Sequence, residues 1–553
     1  MAVFSKFITL SIFLTTINAI AVENPIEGRS KGYVGMKFKK RYGNNYDTAT
    51  SNFKPEFNLH KRDGKYETVE ITNEQSFYSV ELEIGTPTQE VTVLVDTGSS
   101  DLWVMGSNNP YCKSSSNSQI STSDRIDCGE FGTFDSDKSS TWSRNESASR
   151  FSIQYGDTTF ASGVWGQDRL HLEDLNITGL SFAVANRTNS TVGVLGVGLP
   201  GLETTNSGRN AYQYDNFPMV LKRAGATEST AYSLYLNSLQ EEHGSILFGA
   251  VDNSKYSGPL YTIPLINTLR GYGYETPIQF DVTLQGIGLS DGDNNSTLTS
   301  TKVPALLDSG TTLTYLPKSL LDDLADKIGA RYIERYGYYM VPCNSEGTSS
   351  SAFDDDTSLV FDFGGFHIRT PLKDYLVQAL TNTCILGLIP QDSNGVILGD
   401  TFLTHAYVVY DLDNLEISMA QAKYIEDYDA EDYKSADIQT INSSVPGATK
   451  APGYSSTWST SASNTDSSGN IFTIHPHPTQ INSVYSVETS GSTILVTNTA
   501  SGSNQDSSST SERSTSSSTG KNKNLAIPTF NNRSPLLEAI TFMLTIFIPF
   551  NLL

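Results

Sequence analysis

The chain has 553 residues, 60 acidic against 37 basic side chains, and a formal net charge of −23. That balance excludes a nucleic-acid partner, because polyanions are bound through clustered Lys and Arg. Length alone argues for several domains, but neither end of the chain has the composition of a folded core.

Residues 1–21, "MAVFSKFITLSIFLTTINAIA", carry an early lysine, an apolar run and a small-x-small ending at Ala19-Ile20-Ala21, and read as a secretory signal peptide. Residues 22–62 hold nine basic side chains against four acidic ones. A basic leader before an acidic body reads as a propeptide lying over an acidic cleft, with Lys61-Arg62 as its dibasic exit.

Residues 63–433 are dense in short runs such as "FYSVELEIG", "EVTVLV", "RFSIQYG" and "AYVVYDL". Val, Ile, Phe and Tyr alternate there with polar residues between Gly, Asn, Asp and Pro turns, the pattern of a mainly β body. Helical spacing is clearest in "KSLLDDLADKIGARY" (318–332). Four cysteines allow three pairings, and proximity in sequence favours Cys112–Cys128 and Cys343–Cys384, one bridge in each half. Sequons at Asn145, Asn176, Asn186, Asn189, Asn295 and Asn442 predict a glycosylated surface.

An internal repeat organises the body. "VLVDTGSSDLWV" (93–104) and "ALLDSGTTLTYLP" (305–317) each run an apolar strand into Asp, a small hydroxyl residue and Gly. Each is followed later by an apolar pair and Gly, "GVLGVG" (193–198) and "GVILGD" (395–400). Two similar β lobes are therefore expected to face each other. A carboxylate at the end of a buried strand is costly without partners. If Asp96 and Asp308 meet between the lobes they share one proton, so that one acts as general base on a water and the other as general acid. Gly98 and Gly310 are expected to permit the turn beside each Asp. Thr97 and Ser309 are expected to bond across the lobes, and Ser99 and Thr311 to bond the outer carboxylate oxygens. The chain lacks a phosphate loop, His-Glu-x-x-His and Gly-x-Ser-x-Gly, so no cofactor and no metal are expected. His171 and His405 stand apart in sequence and read as structural.

Residues 434–524 are rich in Ser, Thr, Asn and Gly and read as a glycosylated stalk. The chain then ends "LLEAITFMLTIFIPFNLL" (536–553), which is short for a membrane span and has no basic flank. With its polar spacer this is the layout of a GPI-anchor signal over 525–553, removed on maturation, with Asn524 or Ser518 as attachment residue. Those features predict a protein on the extracellular face of the plasma membrane, or transferred from it to the cell wall.

From about Phe77 to Lys423 the chain resembles pepsin-like aspartic proteases, and within them the GPI-anchored fungal yapsins. The resemblance rests on "SFYSVELEIGTP", "VLVDTGSSDLWVMGS", "FSIQYGD", "GVLGVGLP", "ILFGAVDNSKYSG", "ALLDSGTTLTYLP", "VILGDTFL" and "YVVYDLDNLEISMAQAKY". It implies an all-β, bilobal fold with a central cleft and a β-hairpin flap. The flap would carry Tyr155, Gly156 and Asp157, with Trp103 bonded to the flap tyrosine. It further implies a monomer that cleaves protein and peptide substrates after single or paired Lys and Arg. Asp157 is expected to overhang the substrate pocket and attract the basic side chain. The loop between Cys112 and Cys128 lacks a basic pair, so processing into two chains is not expected. The other class of function compatible with this chain is a catalytically idle surface glycoprotein that uses the same fold for binding.

Overall fold

The computed structural model describes residues 26–27, 32–42, 61–62, 65–66 and 76–473. It omits 116–118, 156–158, 173–174, 208–210, 240, 242, 293, 335–336, 344–355, 381–382, 394, 426–436 and 460–468. The signal segment, the anchor segment with Ser518 and Asn524, and the flap residues Gly156 and Asp157 lie outside the described residues.

The architecture is all-β with few helices. A 16-stranded sheet runs through the molecule, and smaller sheets complete it. Within the large sheet, the first aspartate strand (Gln89–Asp96) pairs in parallel with Gly193–Gly196, which in turn pairs with Leu102–Met105. The second aspartate region repeats this in a five-stranded sheet. Val303–Leu307 pairs in parallel with Val396–Leu398, which pairs with Thr314–Pro317. The two apolar-apolar-Gly motifs are thus the strands that flank the two Asp-Thr/Ser-Gly motifs. Alternation along these strands buries Val93, Val95, Leu195, Leu307 and Leu398 in one core that reaches both halves of the chain.

The leader contributes to this body. Val34–Tyr42 lies between Ser76–Ile84 and His243–Phe248, antiparallel to both, inside the large sheet. Val34, Met36 and Lys40 turn inward, whereas Gly35, Lys37 and Lys39 face outward. A basic composition therefore overlies a period-2 strand pattern. This part of the basic segment is an interior strand and not a separate layer over a cleft. Lys40 Nζ donates to Leu239 O at 2.9 Å and sits 5.8 Å from the Tyr78 ring. Burial lowers its pKa to about 8, against the opposing pull of the Asp400 carboxylate.

The helix expected over 318–332 ends at Ile328. Gly329 takes a left-handed φ of 72° as its C-cap, and Arg331–Ile333 continues as a strand. Both disulfides are present, with Cα separations of 5.4 Å for Cys112–Cys128 and 5.6 Å for Cys343–Cys384. All six sequon asparagines keep some exposure, and Asn295 and Asn442 are the most open.

At the C-terminal side the packed body continues past residue 433, the boundary read from composition. Ile438–Thr440 pairs with Ala250–Asp252, and Ala448–Lys450 pairs in parallel with Tyr256–Pro264. Ile441, Val445, Ala451 and Ile471 are buried. The apolar residues are sparse but regularly anchored: Ala451 N donates to Thr262 O, Gly453 N to Gly364 O, and Trp458 N to Thr283 Oγ1. Residues 437–459 and 469–473 therefore form a strap on the body, and a stalk can begin only beyond them. Full burial of one Val or Ile is worth roughly 1.5–3 kcal/mol. Truncation after Tyr433 is therefore expected to cost on the order of several kcal/mol of stability, read as a lower urea midpoint, and truncation after Thr473 to leave the midpoint unchanged. Equal midpoints for the two truncations would show that the strap contributes nothing.

Candidate active site

The two aspartate loops meet through reciprocal hydrogen bonds. Thr97 N donates to Ser309 Oγ at 3.1 Å, and Ser309 N donates to Thr97 Oγ1 at 2.9 Å. Each hydroxyl then donates onward to the opposite strand, Thr97 Oγ1 to Leu307 O and Ser309 Oγ to Val95 O, both at 2.9 Å. All four bonds are buried, where their electrostatics are strong and a missing partner is costly. Beneath them Tyr410 stacks on Tyr232 at 5.0 Å and packs against Phe280 at 4.6 Å.

This frame places the carboxyl groups symmetrically. Gly98 N donates to Asp96 Oδ1 at 2.7 Å, and Ser99 Oγ donates to Asp96 Oδ2. Gly310 N donates to Asp308 Oδ1 at 2.9 Å, and Thr311 Oγ1 donates to Asp308 Oδ2 at 2.7 Å. Each carboxyl thus has one backbone donor on one oxygen and one hydroxyl donor on the other.

Both glycines lie in the turns beside the aspartates, neither with a positive φ, and each also makes room for the opposite carboxyl. A Cβ on Gly98 would lie 2.5 Å from Asp308 Oδ1, and one on Gly310 would strike Asp96 Oδ1. Each glycine leaves the room that the opposite aspartate occupies.

Burial, reinforced by the neighbouring Asp308 carboxylate, pushes Asp96 up to about 7. Burial also raises Asp308, against the hydrogen bonds from Thr311 and Gly310. Both carboxyls are therefore harder to ionise than free aspartates, and they titrate as one coupled pair.

Trp103 is fully buried, and its Nε1 donates to Tyr155 OH at 2.7 Å. Tyr155 follows the strand Phe151–Gln154, which forms a hairpin with Phe160–Leu172. Tyr155 N donates to Thr159 O across its mouth. His171 Nε2 bonds Gly85 O, and His405 is buried against Tyr424 and Asp374, away from the aspartates. Among the described residues no His/Cys/Asp/Glu group could hold a metal ion.

Two further acidic features were not evident from the motifs. Asp400, in the second apolar-apolar-Gly motif, is buried with Oδ1 unbonded, and burial raises its pKa, as does Asp308. In the other half, Asp101 accepts from Tyr214 OH and Thr204 N, and buried Glu203 accepts from Tyr214 N while its Oε1 is unbonded. Burial pushes Glu203 up to about 9. "GVLGVGLP" marks the strand next to Asp96 but says nothing about the acid five residues after Gly198.

A carboxyl whose folded pKa exceeds its unfolded value stabilises the fold below the unfolded pKa, and that stability is lost as pH rises through the folded pKa. For Glu203 the window runs from about 4.5 to about 9. Glu203→Gln is therefore expected to raise the unfolding midpoint at pH 8 by a few degrees and to leave it unchanged at pH 4. A midpoint lowered equally at both pH values would mean that Glu203 acts only through packing and its hydrogen bond.

The family described as eukaryotic aspartyl protease matches residues 77–422. The chain is 50% identical to Aspartic proteinase MKC7 of Saccharomyces cerevisiae over 84% of each chain. It is 52% identical to Aspartic proteinase 3 of the same yeast, over 81% of this chain and 86% of that one. It is also 52% identical to Aspartic proteinase yapsin-3 of that yeast, over 80% of this chain and 81% of that one. A family match across most of the β body, relatives aligned over four-fifths of the chain, and two carboxyls set face to face lead to one conclusion: the chain belongs to the eukaryotic aspartyl proteases and is an aspartic endopeptidase.

Proposed function

We propose that Asp96 and Asp308 are the catalytic pair, and that the protease cleaves secreted or cell-surface proteins and proproteins after Lys or Arg. The observation that supports the pair most strongly is the reciprocal Thr97–Ser309 bonding, which holds two buried carboxyls together although both would repel if ionised. In the one-proton state, the ionised carboxylate takes a proton from the attacking water. The protonated one gives its proton to the scissile carbonyl oxygen. The donors from Ser99, Gly98, Thr311 and Gly310 fix both groups in position, so that little reorganisation accompanies the transfer. Tyr155, anchored by Trp103, closes the hairpin over the substrate.

Basic specificity is supported by the acidic chain and by the resemblance to yapsins. Asp157, in the segment that joins Tyr155 to Thr159, is the acid proposed to meet the substrate's cation. The segment 22–62 is proposed to leave by cleavage after Lys61-Arg62, so that maturation would take the strand Val34–Tyr42 out of the sheet. Entry through the signal peptide, glycosylation, and anchoring through Ser518 or Asn524 would place the mature enzyme on the outer face of the membrane, as a monomer that holds its substrates only transiently.

Asp96→Asn and Asp308→Asn are each expected to lower peptide cleavage about a thousandfold or more without loss of secretion, and the double variant to cost little beyond either single one. Wild-type kcat/KM should fall as pH rises through about 7, where the pair loses its shared proton. A peptide library on the matured full chain, with Asp157→Ala alongside, reads the specificity. Substantial activity in Asp308→Asn would overturn the pair, and cleavage without regard to Lys or Arg would overturn the basic specificity.

A further inference from the structure

The second aspartate strand has a neighbour whose chemistry the reaction leaves unused. In the antiparallel pairing of Asp281–Leu284 with Val303–Leu307, Asp281 stands opposite Leu306. Residues opposite one another in a sheet share a face, and residues two apart on one strand share it too. Asp281 therefore lies on the same face as half-buried Leu306, and Asp308, one residue past the strand's end, continues as its diagonal neighbour because Leu307 N still donates to Phe280 O. Such diagonal neighbours are roughly 7–8 Å apart at Cα, within the reach of a substrate side chain next to the reacting bond.

The same face continues along the strand through Thr283 and Gln285, and both find partners in the C-terminal strap. Trp458 N donates to Thr283 Oγ1, Gln285 Nε2 donates to Ser456 O, and Ser455 Oγ donates to Gln285 Oε1. Asp281 stands at the end nearest the catalytic pair and is 7% exposed. Its bonded partner is the Thr268 hydroxyl, at 2.5 Å from Oδ2. Among the described residues no lysine or arginine forms an ion pair with it. A carboxyl this buried and facing the site without a cation is costly to ionise alone, and a cation arriving with a ligand removes that cost.

We infer that Asp281 is a specificity-determining residue that receives the cationic side chain of a substrate Lys or Arg directly beside the scissile bond, on the side of the lobe that carries Asp308. The inference rests on the proposed basic specificity and adds the residue that reads it in this lobe. The flap belongs to the other half of the chain, so Asp281 and the flap would read residues on opposite sides of the bond. Two such readers suit a pair of basic residues.

The test compares matched peptides that carry Lys or its uncharged analogue norleucine at each position flanking the cleaved bond. The enzymes are the matured full chain, Asp281→Asn and Leu306→Lys. Asn keeps an acceptor for Thr268 and removes the charge. Leu306→Lys leaves Asp281 in place and neutralises it from across the strand pair. A charge-assisted hydrogen bond corresponds to a ten- to hundredfold effect on kcat/KM. Both variants are expected to lower the lysine-over-norleucine ratio by at least about tenfold at one flanking position and to leave the other position unchanged. Losses equal for lysine and norleucine peptides, or an unchanged ratio in Leu306→Lys, would overturn the role of Asp281. If the wild-type enzyme shows no preference for lysine at any position, the proposed basic specificity fails instead, and that outcome is read before any variant is compared.

Discussion

Two carboxyl groups brought together in a largely buried site repel when both are ionised, and the surrounding structure must hold them there regardless. Here the holding force is the bonding between Thr97 and Ser309, in which each residue donates through its backbone N–H to the other's hydroxyl and through its own hydroxyl to the opposite strand. The rest of the architecture serves this contact. Two parallel strand pairs each lead into one of the aspartates. Tyr232, Phe280 and Tyr410 fill the space beneath, and the glycines at 98 and 310 make room for the opposing carboxyls.

The same arrangement explains an interior built for acid. Buried carboxyls at Asp96, Asp101, Glu203, Asp281 and Asp400 all have pKa values raised by burial. Each is tolerated while protonated and becomes a cost as it ionises. With a net charge of −23, repulsion across the surface acts in the same direction as the pH rises. Lys40 lies in the field of one of these acids, Asp400, from within the strand Val34–Tyr42. The leader is thus coupled to the body by both strand pairing and charge.

The all-β class, the two-lobed repeat and the pairing of each Asp motif with its apolar-apolar-Gly strand were legible because they are local and occur twice. The cysteine pairing was legible from proximity. The leader strand was obscured because Lys37, Lys39, Lys40 and Arg41 weigh on composition, whereas its fit depends on Val34 and Met36 alternating inward. The strap was obscured for the opposite reason. Ile441, Val445 and Ala451 are too sparse to mark a core, and their burial comes entirely from the body they lie on. The reason for Gly98 and Gly310 was out of reach, because each is set by an atom more than two hundred residues away. Asp281 gave no signal either, since only the strand register places it beside Leu306.

In the proposed mechanism Asp96 and Asp308 share a single proton in the working enzyme. Neutron diffraction on crystals of the matured, deuterium-exchanged protein at about pH 5 reads this directly, because deuterium positions on carboxyl oxygens are seen and not inferred. One deuteron is expected on the facing oxygens of the pair, with Ser99 and Thr311 donating to the outer ones. A deuteron on each carboxyl, or none on either, would contradict it.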